Sequence, residues 1–439
     1  MARIAVIGSG ISGLAAAWEL SAPGAREQPT LFEAGSHFGG HANTVDLTLD
    51  GITYGVDTGF LVYNERTYPR LLALFAELGI ARAESQMSFS VQCPASGSAP
   101  ALEWSGRSLA AVFAQRRNLL RPRFWRMLAE ILRFNRICTE IARSHDEARL
   151  VQPIGEFLQA QDFSDAFRDD YFLPMIGCIW SSPTAQMLQF PVATMIRFCH
   201  NHGLLQLANR PPWYTVPGGS RNYVRAMLGR IVDARRNSPV RAVRRQDDCV
   251  LVLSERGTER FDGVVFACHS DQALALLGED ASGDERSVLG SIAYQANRAV
   301  LHTDASVLPA RRAAWSAWNY ERAADGRSQG RHVCVHYLLN QLQPLPWQRP
   351  VIVSLNPIRP IDPAQVRAQF DYEHPVFDLA AIQAQRRVPY LQGVRRTWFC
   401  GAWCGYGFHE DGLRAGQEVA AAIGRRHWNA TATNVAHAA

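Results

Sequence analysis

Gly8-Ser9-Gly10-Ile11-Ser12-Gly13 constrains this chain more than any other stretch. A short apolar run, Ile4-Ala5-Val6-Ile7, precedes it, and an apolar helical pattern from Leu14 to Leu20 follows. Strand, tight turn and helix is the context in which glycines at this spacing hold a dinucleotide. Gly8 permits the turn, Gly10 lets a pyrophosphate approach the backbone, and Gly13 lets helix and strand pack closely. With Ser12 beside them, the phosphates sit on unpaired N–H groups at the positive end of the helix dipole. Taken alone, the motif also suits a plain glycine-rich turn.

Two further features sharpen the reading. Thr30-Leu31-Phe32-Glu33 reads as a second strand ending in an acid, and a carboxylate there accepts the hydroxyl hydrogens of a ribose. After five intervening residues comes the pair Gly39-Gly40. A simple NAD site has no need of it, whereas a longer cofactor lying on the backbone does, because a Cβ at either position would collide with it. This favours FAD over NAD. At this stretch the chain resembles the FAD-dependent flavin amine oxidase and phytoene desaturase superfamily. With Gly40-His41-Ala42-Asn43-Thr44 and Val56-Asp57-Thr58-Gly59-Phe60, it looks most like a bacterial branch of FAD/NAD-binding amine oxidoreductases, some of them associated with modification of membrane fatty acyl chains.

At 439 residues the chain is long enough for two domains. Its net charge of +5 is too weak to argue for nucleic acid without a localised patch. It contains no lysine, so none can serve as base, Schiff-base former or flavin-facing partner. Nine cysteines without a CxxC pair, and a nucleotide fold starting at residue 3, fit a reducing cytoplasm. Cys400 and Cys404 read as buried free thiols rather than a disulfide or a flavin link. No apolar run reaches transmembrane length.

Along the chain, Asp50-Gly51 between alternating runs predicts a hairpin. A helix follows, with Asn64 as its expected N-cap and Gly79 as its stop. Residues 86–93 and 102–104 read as strands. Residues 108–150 read as an arginine-rich helical region interleaved with Phe113, Leu120, Trp125 and Leu132. Such a stretch either lies on an anionic membrane or is a surface helix packed on its own domain. Residues 153–208 read as apolar helices that line a substrate tunnel or fill a core. The runs 298–302, 333–337 and 351–355 suit a sheet flooring the substrate cavity. His332 and His336 are expected on one side of their strand, with no further metal ligand nearby.

The resemblance implies an α/β fold: a Rossmann-like FAD-binding domain of three segments, 1–85, 213–280 and 390–428, with an inserted α+β substrate domain, 86–212 and 281–389. The tail, 429–439, is expected to be flexible. It further implies that Gly59 passes beside the flavin ring, that the backbone of Val240 faces the adenine, and that Gly401 approaches the pyrophosphate and ribityl chain. Gly412 and Leu413 would offer helix N–H groups to the flavin's pyrimidine oxygen. His41, near the flavin, together with Tyr406, His409 and Glu410 before the closing helix, are the catalytic candidates. Ala402 stands where many relatives carry an acid.

FAD takes hydride at N5, so the open question is which C–H donates it. The absent lysine weakens an amine oxidase reading, although Trp403 and Tyr406 could form part of an aromatic cage. A lipid or fatty acyl chain, handled by a desaturase-like oxidoreductase, is the leading reading. A flavin-dependent isomerase of unsaturated lipid and a flavin carrier without a substrate are the alternatives. The expected partners are an apolar small molecule or lipid and an unnamed electron acceptor, with peripheral membrane contact through 108–150 and no nucleic acid.

Overall fold

The computed structural model describes residues 1–95, 100–144, 152–181, 183–206, 210–323 and 332–426. The expected flexible tail and the end of the arginine-rich region, including Arg149, lie outside these residues.

Five parallel strands form one sheet, in the order Asp233–Arg235, Glu27–Phe32, Ala2–Ile7, Gly263–Phe266, Thr397–Phe399. Both faces of this sheet are covered, so its strands read as short continuous apolar runs, and Ile4, Ala5, Val6, Val264, Val265 and Phe266 are fully buried. On one face lie the helices Ile11–Leu20 and His409–Gly424. They touch backbone to backbone, since a Cβ at Gly416 would stand 2.2 Å from the Ser12 carbonyl oxygen. The other face carries the antiparallel meander Val240–Arg245, Val250–Ser254, Gly257–Phe261 and the helices Ser270–Leu277 and Leu379–Leu391.

A second, mixed sheet has seven strands in the order Val366–Pro375, Tyr294–His302, Ile352–Leu355, Cys334–Leu338, Trp318–Glu321, Phe89–Cys93, Leu102–Ser105. The helices Pro122–Ser144, Leu173–Trp180 and Val192–Asn201 pack against it around Phe134, Phe172, Ile176 and Met195. The Asp50-Gly51 hairpin forms as expected, both turn residues having positive φ. Asn64 does not cap a helix. It ends a two-residue strand, and its Oδ1 accepts from Arg66 N and Thr67 N in a turn, and the helix begins only at Pro69. Gly79 stops that helix in the left-handed conformation at φ 66°. All nine cysteines are free. Among the described residues no helix is long and apolar enough to cross a membrane.

Candidate active site

The glycines of the first turn open a cradle. A Cβ at Gly8 (φ +101°) would stand 2.9 Å from the Ala267 carbonyl oxygen. At Gly10 it would meet nothing within 4 Å, so the turn faces open space immediately before the uncapped N-terminus of helix Ile11–Leu20. Gly39 donates its N–H to the Ser9 carbonyl at 3.1 Å, and Gly40 crosses so near that a Cβ would be 3.2 Å from the Gly10 Cα. Glu33 ends its strand with Oε2 accepting from Ser9 N (3.1 Å) and Oε1 from Gly35 N (2.6 Å). Ser238 N donates to the Glu33 carbonyl at 2.8 Å, which brings Val240 to the same end. Gly8, Gly10, Ser12, Glu33, Gly39, Gly40, Val240 and Gly401 line one continuous cavity of about 1870 Å³. A single ligand site is usually ~300–1,000 Å³, so this space has room for a long cofactor and a second molecule. The open turn, the free helix N–H groups and the fixed acid fit FAD.

Farther along the cavity stand His41, Thr58, Gly59, Phe60, Tyr372 and His374. Gly59 is held against His41: a Cβ there would lie 2.3 Å from the His41 carbonyl oxygen, which also accepts from Phe60 N at 2.7 Å. The His41 ring stacks on Tyr372 (centroids 4.8 Å, 28°) and lies 5.1 Å from His374. Its Nε2 is buried and, among the described residues, has no hydrogen-bond partner. Burial, with His374, His269 and His409 nearby, holds His41 well below the usual imidazole range, so it is neutral at pH 7. His374 is pushed down to about 4 by burial and by His269. The Tyr372 hydroxyl is fixed between Thr58 Oγ1 (2.8 Å) and Asn43 Nδ2 (3.0 Å), and His374 Nδ1 lies 2.8 Å from Asn297 Nδ2. Tyr372, His374 and Asn297 were missed in the sequence. Tyr372 and His374 share a face of Val366–Pro375, whose alternating Phe370-Asp371-Tyr372-Glu373 was the available signal.

The closing helix differs from expectation. The Glu410 carboxylate accepts from Arg70 N (2.8 Å) and Leu71 N (3.0 Å), capping helix Pro69–Leu78, and it does not line the cavity. It is a helix cap rather than a group facing the ring. The Gly412 N–H is already given to the Phe408 carbonyl at 3.1 Å, and Leu413 is buried in the core. The free N–H groups of this helix therefore begin at His409, and Gly412 instead permits packing on Ile11, 2.7 Å from its would-be Cβ. His409 lines the wall but is committed: its ring stacks on Phe60 at 3.9 Å, its Nε2 meets the Tyr223 hydroxyl at 2.5 Å, and burial pushes it down to about 3. Tyr406 lines the cavity, half-buried. Trp403 is locked, its Nε1 donating to the Cys268 carbonyl at 3.1 Å.

The seven-stranded sheet does floor the cavity, through Tyr337, Val353 and Leu355. His332 and His336 do not share a face. His332 precedes the strand, exposed on the cavity rim, whereas His336 is buried on the strand itself, with Nε2 2.8 Å from Glu321 and Nδ1 2.7 Å from Ser354 Oγ. Glu321 and Cys334 supply the neighbours that the sequence did not show, and the three form a metal-sized cluster. Arg359 holds the other Glu321 oxygen at 2.5 Å, which closes the group as an ion-pair network.

Beyond His41 the cavity runs between helices and sheet, walled by Phe89, Trp104, Phe113, Ile131, Met175 and Phe198. Among the described residues its lining carboxylates are Glu33 at the ribose end and the exposed Asp371 and Glu373 on the rim. Asn135 and Trp318 line the cavity, and among the described residues their buried Oδ1 and Nε1 have no partners.

The family model of flavin-containing amine oxidoreductases matches residues 11–312. Curated protein sequences give no match. Solved structures share the fold. A CLA-producing fatty acid isomerase from P. acnes aligns over 96% of this chain and 98% of its own, at 16% identity and TM-score 0.67. A single-site mutant of putrescine oxidase, made in a structure-based redesign of cofactor binding, gives the same coverage, at 17% identity and TM-score 0.67. Cyclohexylamine oxidase from Brevibacterium oxydans IH-35A aligns over 96% and 98%, at 16% identity and TM-score 0.63. With its glycine cradle, ribose-end acid and two-molecule cavity, the chain belongs to the flavin-containing amine oxidoreductase family.

Proposed function

We propose that this FAD-dependent oxidoreductase removes hydride from a C–H of a lipid or fatty acyl chain, in a desaturase-like reaction. The observation that carries this reading is the inner arm of the cavity, with aromatic and aliphatic walls and, among the described residues, no carboxylate. A protonated amine entering that arm would lose its hydration with no anion to replace it. An acyl chain loses only unfavourable contact with water. Bound FAD supplies the two-electron acceptor for the hydride. The protein's part is to seat the chain against that acceptor, exclude water and receive a proton. His41, whose Nε2 is neutral and without a partner among the described residues, would take the proton released when a second C–H bond yields its electrons to the new double bond.

The isomerase reading keeps a footing, because one fold neighbour is a fatty acid isomerase that shares the same overall chain course. The two differ in electron balance: a desaturase must pass a pair of electrons to an acceptor, whereas an isomerase returns the hydride. The test is anaerobic mixing of the FAD-loaded protein with a fatty acid series and with a panel of amines. Lasting flavin bleaching by acyl chains alone is expected. Bleaching by amines alone overturns the proposal, and a shifted double bond without lasting bleaching replaces it with the isomerase.

A further inference from the structure

The helix Pro122–Ser144 buries one apolar face, including Phe124, Met127, Phe134 and Cys138, in the helical core. To that extent it is an ordinary surface helix. It also carries a second apolar stripe, Trp125, Leu128 and Leu132, spaced to fall along one side. All three line the cavity, yet Trp125 is 48% and Leu132 54% exposed. Leu109, which also lines the cavity, is 81% exposed, and the neighbouring Leu120 is 86% exposed. Exposed apolar side chains scattered singly are common, whereas these are gathered at the cavity opening. The Trp125 ring is held in place, 5.2 Å from Phe113, with Nε1 donating to the Leu119 carbonyl at 2.9 Å.

The exposed charge on residues 107–136 is arginine, although Arg123 and Arg126 pair with Asp170 and Glu130 and the cavity rim also carries Asp371 and Glu373. Arg107, Arg116, Arg117, Arg123, Arg126 and Arg136 are exposed on this lip. From 108 to 144 the acids are Glu130 and Glu140, and Glu130 is buried on Ser164 and Arg126. Among the described residues Arg116 and Arg136 have no carboxylate partner. Apolar side chains set in an arginine field, with a tryptophan among them, match a surface that is apolar below and anionic above.

We propose that this lip docks on an anionic bilayer, with Leu109, Leu120, Trp125 and Leu132 in the acyl boundary, so that the cavity opens sideways into the lipid. The sideways route rests on the acyl-chain reading above, while the docking can be tested without it.

The experiment is flotation of the FAD-loaded protein with vesicles of phosphatidylcholine alone or mixed with phosphatidylglycerol, at low and high salt. Flotation with the anionic vesicles, falling as salt screens the arginines, is expected. Leu109→Glu with Leu120→Glu should weaken it by ~tenfold or more, and Arg116→Glu with Arg136→Glu by several-fold. Brominated lipid should quench tryptophan emission, and Trp125→Phe should remove most of that quenching. Absence of flotation, or flotation unchanged in both double variants, overturns the docking. The two readings fail separately. Vesicle binding by a protein whose flavin no acyl chain reduces keeps the docking and removes the substrate. Reduction by detergent-dispersed acyl chains without flotation removes the docking alone.

Discussion

Gly13 lies against Gly8 so closely that a Cβ on Gly13 would stand 1.9 Å from the Gly8 carbonyl oxygen. The obstacle is backbone, so no rotamer relieves it. Gly13→Ala should therefore destabilise the apo-protein by ~3 kcal/mol or more, besides losing flavin. Gly10 is the contrast: it has ordinary φ and open space around its would-be Cβ. Gly10→Ala should leave apo-protein stability within ~0.5 kcal/mol and still abolish FAD binding, because that open space is where the FAD pyrophosphate would lie. Urea denaturation of apo-protein and the flavin spectrum of holoprotein separate the two effects. A Gly10→Ala protein that purifies with full flavin would remove the pyrophosphate from this turn.

Glu410 ties the closing helix to helix Pro69–Leu78 through two backbone N–H groups. Its removal leaves both donors without a partner at a helix start. Glu410→Ala should cost ~1–2 kcal/mol, with the rate of flavin reduction by substrate unchanged. A rate loss of a hundredfold at unchanged stability would instead return Glu410 to the chemistry.

The buried pair His336–Glu321 gives stability a pH signature. Burial alone would depress His336, but Cys334 and the Glu321 carboxylate 2.8 Å away overturn that and hold it at about 9. Its folded value is raised above the ~6.5 of an unfolded histidine. The contribution is therefore complete below that unfolded value and is lost as pH rises through the folded one. The histidines 41, 202, 302, 374 and 409 are all depressed and act on the acid side, so they leave the alkaline window clear. Between neutral pH and pH ~9 the wild type should lose stability, on the order of a few kcal/mol, that His336→Gln does not lose. Parallel stability curves for the two would show that the pair carries no charge.

What could be read from the sequence was whatever is local. The first strand, turn and helix, the Asp50-Gly51 hairpin and the Gly79 stop each depend on neighbours within a few residues, and each forms as expected. Glu33 and Gly39–Gly40 converge on the same cavity because the glycine spacing already encodes a backbone path. The misplaced residues are those whose role is set by a distant partner. Glu410 binds a helix start some 340 residues earlier in the chain. His336 gains Glu321 from the neighbouring strand, whose register the sequence does not reveal. Asn64 has the right residue type for a cap, yet its turn closes before Pro69 and the helix begins without it. The Tyr372 face was absent from the reading although its strand alternates, because its importance comes only from lying beside His41.

That stack makes His41 the decisive side chain. Tyr372 is held by Thr58 and Asn43, and the backbone of His41 is held by Gly59 and Phe60, so the ring is fixed in the cavity lining, its Nε2 buried and without a partner among the described residues. Its folded value lies well below 6.5, so the imidazole is uncharged through the neutral range and able to accept a proton. His41→Gln keeps a polar group of similar reach but cannot be protonated. If Nε2 takes the proton, flavin reduction should slow by ~10²-fold or more, while flavin content and substrate affinity stay near wild type. The acid limb of the wild-type rate profile, where protonated His41 is inactive, should vanish in the variant. A loss of less than tenfold with the acid limb intact would make His41 a positioning residue, and the proton would then have to leave through Tyr406 or directly to water.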